Sequence, residues 1–176
     1  MAEPPRTPIA GEDDPRRWRG DTPMLNITDD RLRLRVKTVV QFSRTERERL
    51  LAICRYVAAI PFNVPAFTPM KSTRRTLARR QAVGWYSKAA LFQAMLRVAG
   101  FAARVRMIRI DPEMYRGLVD SHRSFVLPVV EVWTGGRWVV TDSYVYDPIY
   151  LAVAREAVAR RGWRSGYGVH LDGQSD

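Results

Sequence analysis

Groups able to do covalent chemistry are scarce in this chain of 176 residues, which has one cysteine, Cys54, and two histidines, His122 and His170. A lone cysteine excludes an internal disulfide and a cysteine metal cluster, and two histidines alone do not make a histidine-rich site. No metal and no cofactor is therefore expected. Cys54 is also poorly placed for a nucleophile: Leu50, Leu51, Cys54, Val57 and Ala58 share one face of a predicted helix, where a buried thiol behaves as a small hydrophobe. Proton chemistry remains. Phenols and a carboxylate can move protons without a covalent intermediate, above all where burial raises a carboxyl pKa. Each has a plainer reading. Asp142 before Ser143 also suits an Asx-type turn anchor, Tyr144 and Tyr146 suit the closing of a sheet edge, and Ser87 suits a helix N-terminus better than nucleophilic attack.

Charge offers a second kind of chemistry. Lys plus Arg number 29 against 18 Asp plus Glu, a formal net charge of +11, and 26 of the 29 cations are arginine. A basic field of this size favours acidic partners. Its densest stretch is Lys71–Arg80, with Lys71, Arg74, Arg75, Arg79 and Arg80. Phosphate contacts need such density, but no aromatic platform interleaves with it. A solvated helix face is the first reading, a docking face for an acidic carrier protein or a phosphate-bearing substrate the second, and nucleic acid the last.

These residues must be held by structure, and the sequence suggests which. Residues 1–23 contain five of the eleven prolines and nine charges, too little apolar surface to offset ordering, so a disordered tail is expected. The alternation in Arg31–Val40 suggests a strand. Ser43-Arg44-Thr45-Glu46 reads as a capping box opening a helix that runs to about Ile60. A short basic helix is expected near Ser72–Gln81 and a stronger one over Tyr86–Ala99, stopped by Gly100. Another alternating strand, FAARVRMIRI, leads to a loop at 111–123. A hairpin then joins FVLPVVEVW to WVVTD through Thr134-Gly135-Gly136-Arg137. Asp147-Pro148 caps a last helix that stops at Gly162. Helices followed by an antiparallel sheet make the fold class α+β. Charged residues interrupt every apolar run well short of about 20 residues, so no membrane span is expected. The opening MAEPPRTPIAGEDDP has no apolar stretch after a basic one, and a cytoplasmic location is expected.

Two of these blocks carry a resemblance. KAALFQAMLRVAGFAAR, residues 88–104, resembles the core helix of the transglutaminase-like superfamily, with Lys88, Ala89, Leu91, Ala94, Leu96, Arg97, Gly100, Ala103 and Arg104 in register. VVEVWTGGRWVVTD is similar to the hairpin of that family, with Glu131, Val132, Gly136, Trp138 and Asp142 in place. The resemblance covers roughly residues 43–150. It implies a core helix packed on an antiparallel β-sheet, within a domain at 24–165 followed by a C-terminal tail at 166–176.

The family's chemistry uses a cysteine at the N-terminus of the core helix, a histidine on the first hairpin strand and an aspartate on the second. Carried over by position, the cysteine falls on Trp85, the histidine on Leu127 and the aspartate on Asp142. Neither an indole nor a leucine can replace its counterpart, so thiol acyl transfer is not expected. His122, five residues before Leu127, reaches the cleft only by way of a bulge or folded loop. The resemblance then implies a cleft bordered by Tyr86, Ser87, His122, Asp142, Tyr144 and Tyr146, with Trp85 plugging the nucleophile position. Asp142, Tyr86 and His122 are the expected catalytic groups. Trp85, Ser87, Tyr144 and Tyr146 are the expected contacts to a small-molecule substrate or ligand. The first functional reading is non-thiol acid/base chemistry, a cyclisation, isomerisation or dehydration of a small metabolite. The alternative is a non-catalytic binding protein, and a nucleic-acid-binding module ranks third.

Overall fold

Residues 31–40 form a helix, not the expected strand. In the computed structural model, α1 spans Asp30–Val40, capped by Asp29, whose side chain accepts from the Leu32 amide. Both periods are written into RLRLRVKTVV, and tertiary contact selects between them. Leu32 and Val36, one helical turn apart, are buried and face α2 and α4, while Leu34 is left exposed. The structure describes residues 13–62, 73–78, 84–118 and 125–171.

Helix α2, Glu46–Ala58, does begin with a capping box, shifted two residues from the expected one. Thr45 accepts from the Glu48 amide and the Glu48 carboxylate accepts from the Thr45 amide. A short α3, Thr73–Ala78, precedes α4, Trp85–Val98, which starts one residue earlier than expected. Every α4 residue from Ser87 to Arg97 is buried, so this helix is the axis of the core. Its stripe of Leu91, Phe92, Met95 and Leu96 meets Ile53 and Val57 of α2 and Val130 and Val132 of the sheet. Gly100 ends it at φ +92, as expected of a left-handed stop.

The sheet has the order β1-β2-β3, antiparallel throughout, with β1 at Ala103–Ile110, β2 at Phe125–Thr134 and β3 at Arg137–Thr141. The amide of Trp133 donates to Ala102 on the β1 side. Polar groups alternate along a strand, so even-numbered residues of β2 point toward β3. Yet β3 ends at Thr141, opposite Val130. Pro128 therefore lacks its N–H where no strand remains to receive it, which is why a proline is tolerated inside the central strand.

Helix α5, Pro148–Arg160, has the expected Asp147 cap and Pro148 at its first position. The described residues beyond it are paired and docked. Strands β4, Ser165–Gly166, and β5, Val169–His170, pair with each other, and the turn between them docks on a 3-10 turn at Pro112–Tyr115, inside the segment expected as a loop. Tyr167 and Gly168 donate backbone hydrogen bonds to Arg116 and Met114. Residues 13–23, expected within a disordered tail, also carry a 3-10 turn, Pro15–Trp18. Buried Arg97 donates to the Gly20 carbonyl, and Trp138 donates to that of Asp13. These long-range partners supply the stabilisation that local composition lacks.

Candidate functional site

The N-terminus of α4 lies where β2 has lost its β3 neighbour. The carbonyls of Val126 and Pro128 point to that vacated side, and two side chains answer them. Trp85 donates its indole N–H to Pro128 at 2.5 Å, and Tyr86 donates its hydroxyl to Val126 at 2.8 Å. The first turn of α4 thus stands in for the missing strand.

Around Trp85 the chain gathers rings from four separate segments. Tyr146 meets it edge-on with centroids 5.5 Å apart, and Tyr115 lies at 6.3 Å. Tyr146 stacks on Tyr150 at 5.0 Å, and Phe62 meets both of those rings edge-on at 4.8 and 5.0 Å. The hydroxyls of Tyr115 and Tyr146 lie 3.4 Å apart. Aromatic pairs of this geometry contribute about 1 kcal/mol each beyond their buried area, so the cluster resists being opened. Burial pushes the phenols of Tyr115, Tyr146 and Tyr150 well above the ordinary tyrosine range, with the charge of Asp142 adding to the first two. Such phenols stay protonated. They can donate hydrogen bonds and do not act as bases near neutral pH.

The expected site residues divide. Trp85 and Tyr146 are brought into contact, and the Asp142 charge reaches Tyr146 and Tyr115. Asp142 itself is exposed. Its carboxylate makes no hydrogen bond or ion pair among the described residues, so the turn-anchor reading is not met; the turn is held by its carbonyl, which accepts from Val145. Tyr86 is committed to Val126, and Ser87 is buried in the first turn of α4. Tyr144 is not available to a ligand: its ring, 0 % exposed, stacks on Phe92 with centroids 4.4 Å apart. His122 lies outside the described residues, as do Lys71, Arg79 and Arg80 of the basic segment.

Beneath this cluster lies a group the sequence reading passed over. Lys88, one turn after Trp85, is 0 % exposed and donates its ammonium to the Ala58 carbonyl at 3.2 Å. Burial lowers its pKa to about 8, although the nearby Asp147 charge opposes the shift. Burial also pushes the Asp147 carboxyl upward, but amide hydrogen bonds from Tyr150, Phe62 and Ile149, together with Lys88, bring it below the usual carboxylate range. One lysine therefore ties the end of α2, the start of α4 and the cap of α5. Lys88 was visible only as a match in the core-helix motif, and nothing local marked its burial. Tyr115, Phe62 and Tyr150 were missed for the same reason, since each depends on partners far away in sequence. Cys54 sits as expected on α2, half-buried. Its thiol is pushed up by burial and by the charge of Asp142.

A family model described as the transglutaminase-like superfamily matches residues 35–143. The crystal structure of a candidate cysteine protease from Cytophaga hutchinsonii superposes with a TM-score of 0.60 at 16% identity, covering 81% of this chain and 46% of that one. At that identity the likeness is one of fold, and this chain spans less than half the length of that protein. None of the curated proteins matches. Among the described residues, no group of three or more His, Cys, Asp or Glu is placed to hold a metal, and no helix is long and apolar enough to cross a membrane.

Proposed function

The chain belongs to the transglutaminase-like superfamily, and from that premise we propose that it is a member that binds a small molecule without performing thiol acyl transfer. One observation carries this reading. At the helix N-terminus where the family places its nucleophile stands an indole, committed to the Pro128 carbonyl and walled in by Tyr115 and Tyr146. Small-molecule sites are mostly apolar and aromatic with a few placed polar groups. Asp142 and the paired phenols of Tyr115 and Tyr146 are those groups here. A ligand that presents a donor or cation to the exposed Asp142, beside the aromatic wall, suits them.

A second reading has its own support. Asp142 is exposed, has no partner among the described residues, and lies close enough to influence two protonated phenols. A carboxylate as base with phenols as hydrogen-bond donors is sufficient for proton transfer in a cyclisation, isomerisation or dehydration. Native mass spectrometry of the purified protein separates the two. A small molecule that is released on denaturation, and returned unchanged after incubation, supports binding. Its conversion over many turnovers, abolished in Asp142→Ala, would sink the binding reading in favour of acid/base catalysis.

A further inference from the structure

The turn after α5 is sterically tight. Tyr167 adopts a left-handed backbone, φ +53, without being glycine or asparagine. A Cβ on Gly166 would lie 2.9 Å from the Trp163 ring, and one on Gly168 would lie 2.0 Å from the Tyr146 hydroxyl. The Tyr150 hydroxyl donates to the Tyr167 carbonyl at 2.7 Å. Strain held this firmly by its surroundings tends to mark functional positions.

What the turn holds in place is an indole approached by two cations. The Arg116 guanidinium carbon lies 4.0 Å from the Trp163 ring centroid and that of Arg161 lies 5.2 Å from it. Arg161 also covers Tyr167 at 5.3 Å. Contact with the ring restrains both guanidiniums, and stacking of this kind does not use up a guanidinium's N–H donors. Both arginines are exposed, and among the described residues neither has a carboxylate partner. Arg116 makes one 3.4 Å contact to the Ser165 carbonyl. Glu156 of α5 pairs with Arg160. Two like charges drawn to one ring and left uncompensated form half of an ion-binding arrangement, and planar forks of this kind match the oxygens of a phosphate.

We infer that Arg116 and Arg161, fixed by Trp163, form a binding site for the phosphate group of a small phosphorylated ligand. The site is separate from the Trp85 cluster and does not depend on the reading given for that cluster. Its occupant is a phosphomonoester or diphosphate rather than a polyanion, because the aromatic faces that would stack nucleobases are already covered by arginine.

Trp163 is the natural reporter. Sodium pyrophosphate is titrated into the full chain at constant ionic strength, with tryptophan fluorescence and calorimetry as readouts. Saturable binding, weakened at least tenfold in Arg161→Gln and unchanged in Arg137→Gln on the hairpin turn, is expected. Arg116→Lys, which keeps the charge and loses the planar fork, weakens binding by a similar factor. Trp163→Phe removes the fluorescence change on binding, the other four tryptophans still emitting, and leaves calorimetric binding detectable. The inference is overturned if pyrophosphate gives no saturable heat, if chloride at matched ionic strength has the same effect, or if Arg161→Gln binds as wild type. An oligonucleotide binding more tightly than pyrophosphate, with a steep salt dependence, would overturn it in favour of a nucleic-acid surface.

Discussion

The indole of Trp85 donates to the carbonyl of Pro128 on the stretch of β2 from which β3 has already departed. The bond joins the first residue of the core helix to the one strand position that has a carbonyl to satisfy and no amide to offer. Trp85→Phe keeps the ring and removes the donor. It should lower stability by about 1–2 kcal/mol, the cost of an unpaired, partly buried carbonyl. Trp85→Ala removes the ring as well and should cost about 3–5 kcal/mol. Urea titration decides, and a neutral Trp85→Phe would mean that solvent replaces the indole.

Reactive thiols at this helix end can be installed and measured. Cys54 contributes little background, since burial and the Asp142 charge hold its thiol protonated, and Cys54→Ser removes it. In that background Trp85→Cys should react slowly with iodoacetamide. Adding Leu127→His should speed alkylation about tenfold and move its pH profile lower, as a neighbouring imidazole favours the thiolate. Equal rates for the single and double variants would show that Leu127 does not address the helix end.

Lys88 gives stability a distinctive pH dependence. Its folded pKa is about 8, against about 10.4 for an unfolded lysine. Between these values the unfolded chain holds the extra proton, so the contribution of Lys88 to stability rises with pH across that window, by about 3 kcal/mol in all. Above about pH 10 the sign reverses. The raised phenols of Tyr115, Tyr146 and Tyr150 then ionise first in the unfolded chain. Chemical denaturation from pH 7 to 10.5 should show the rise in wild type and its absence in Lys88→Met.

The turn at Gly168 should tolerate no side chain. Gly168 has φ +76, and a Cβ there meets the Tyr146 hydroxyl, whereas Gly162 has φ +63 and open space around its Cβ position. Gly162→Ala should cost about 1 kcal/mol for the backbone alone. Gly168→Ala should cost roughly 3 kcal/mol or more, because Tyr146 must also leave its place beside Trp85. Equal thermal shifts for the two would refute a structural role for that contact.

Much of the scaffold was legible in the sequence. Helix α4, its glycine stop, the β2–β3 hairpin and the Asp147-Pro148 cap are set by local periodicity, turn chemistry and capping, and each lies within a residue or so of its expected place. The exceptions share a cause. Arg31–Val40 alternates well enough for a strand and is helical because Leu32 and Val36 find α2 and α4. The packing of residues 13–23 depends on Arg97 and Trp138, which no window around the segment contains. Among the described residues of the expected site, Trp85 and Tyr146 meet directly and the charge of Asp142 reaches Tyr146, while Tyr144 is turned into the core.

The sequence by itself determined the fold class and the core helix and hairpin, and its resemblance to the family led to the expectation that Trp85 and Leu127 stand where a thiol and an imidazole would be. Those are properties of residue type and spacing along the chain. Only the tertiary structure decided that Trp85 replaces a missing strand, that Lys88 is buried beneath it, and that Arg116 and Arg161 share one indole. Each of these depends on groups brought together across tens of residues, where burial and proximity, rather than local preference, set the energy.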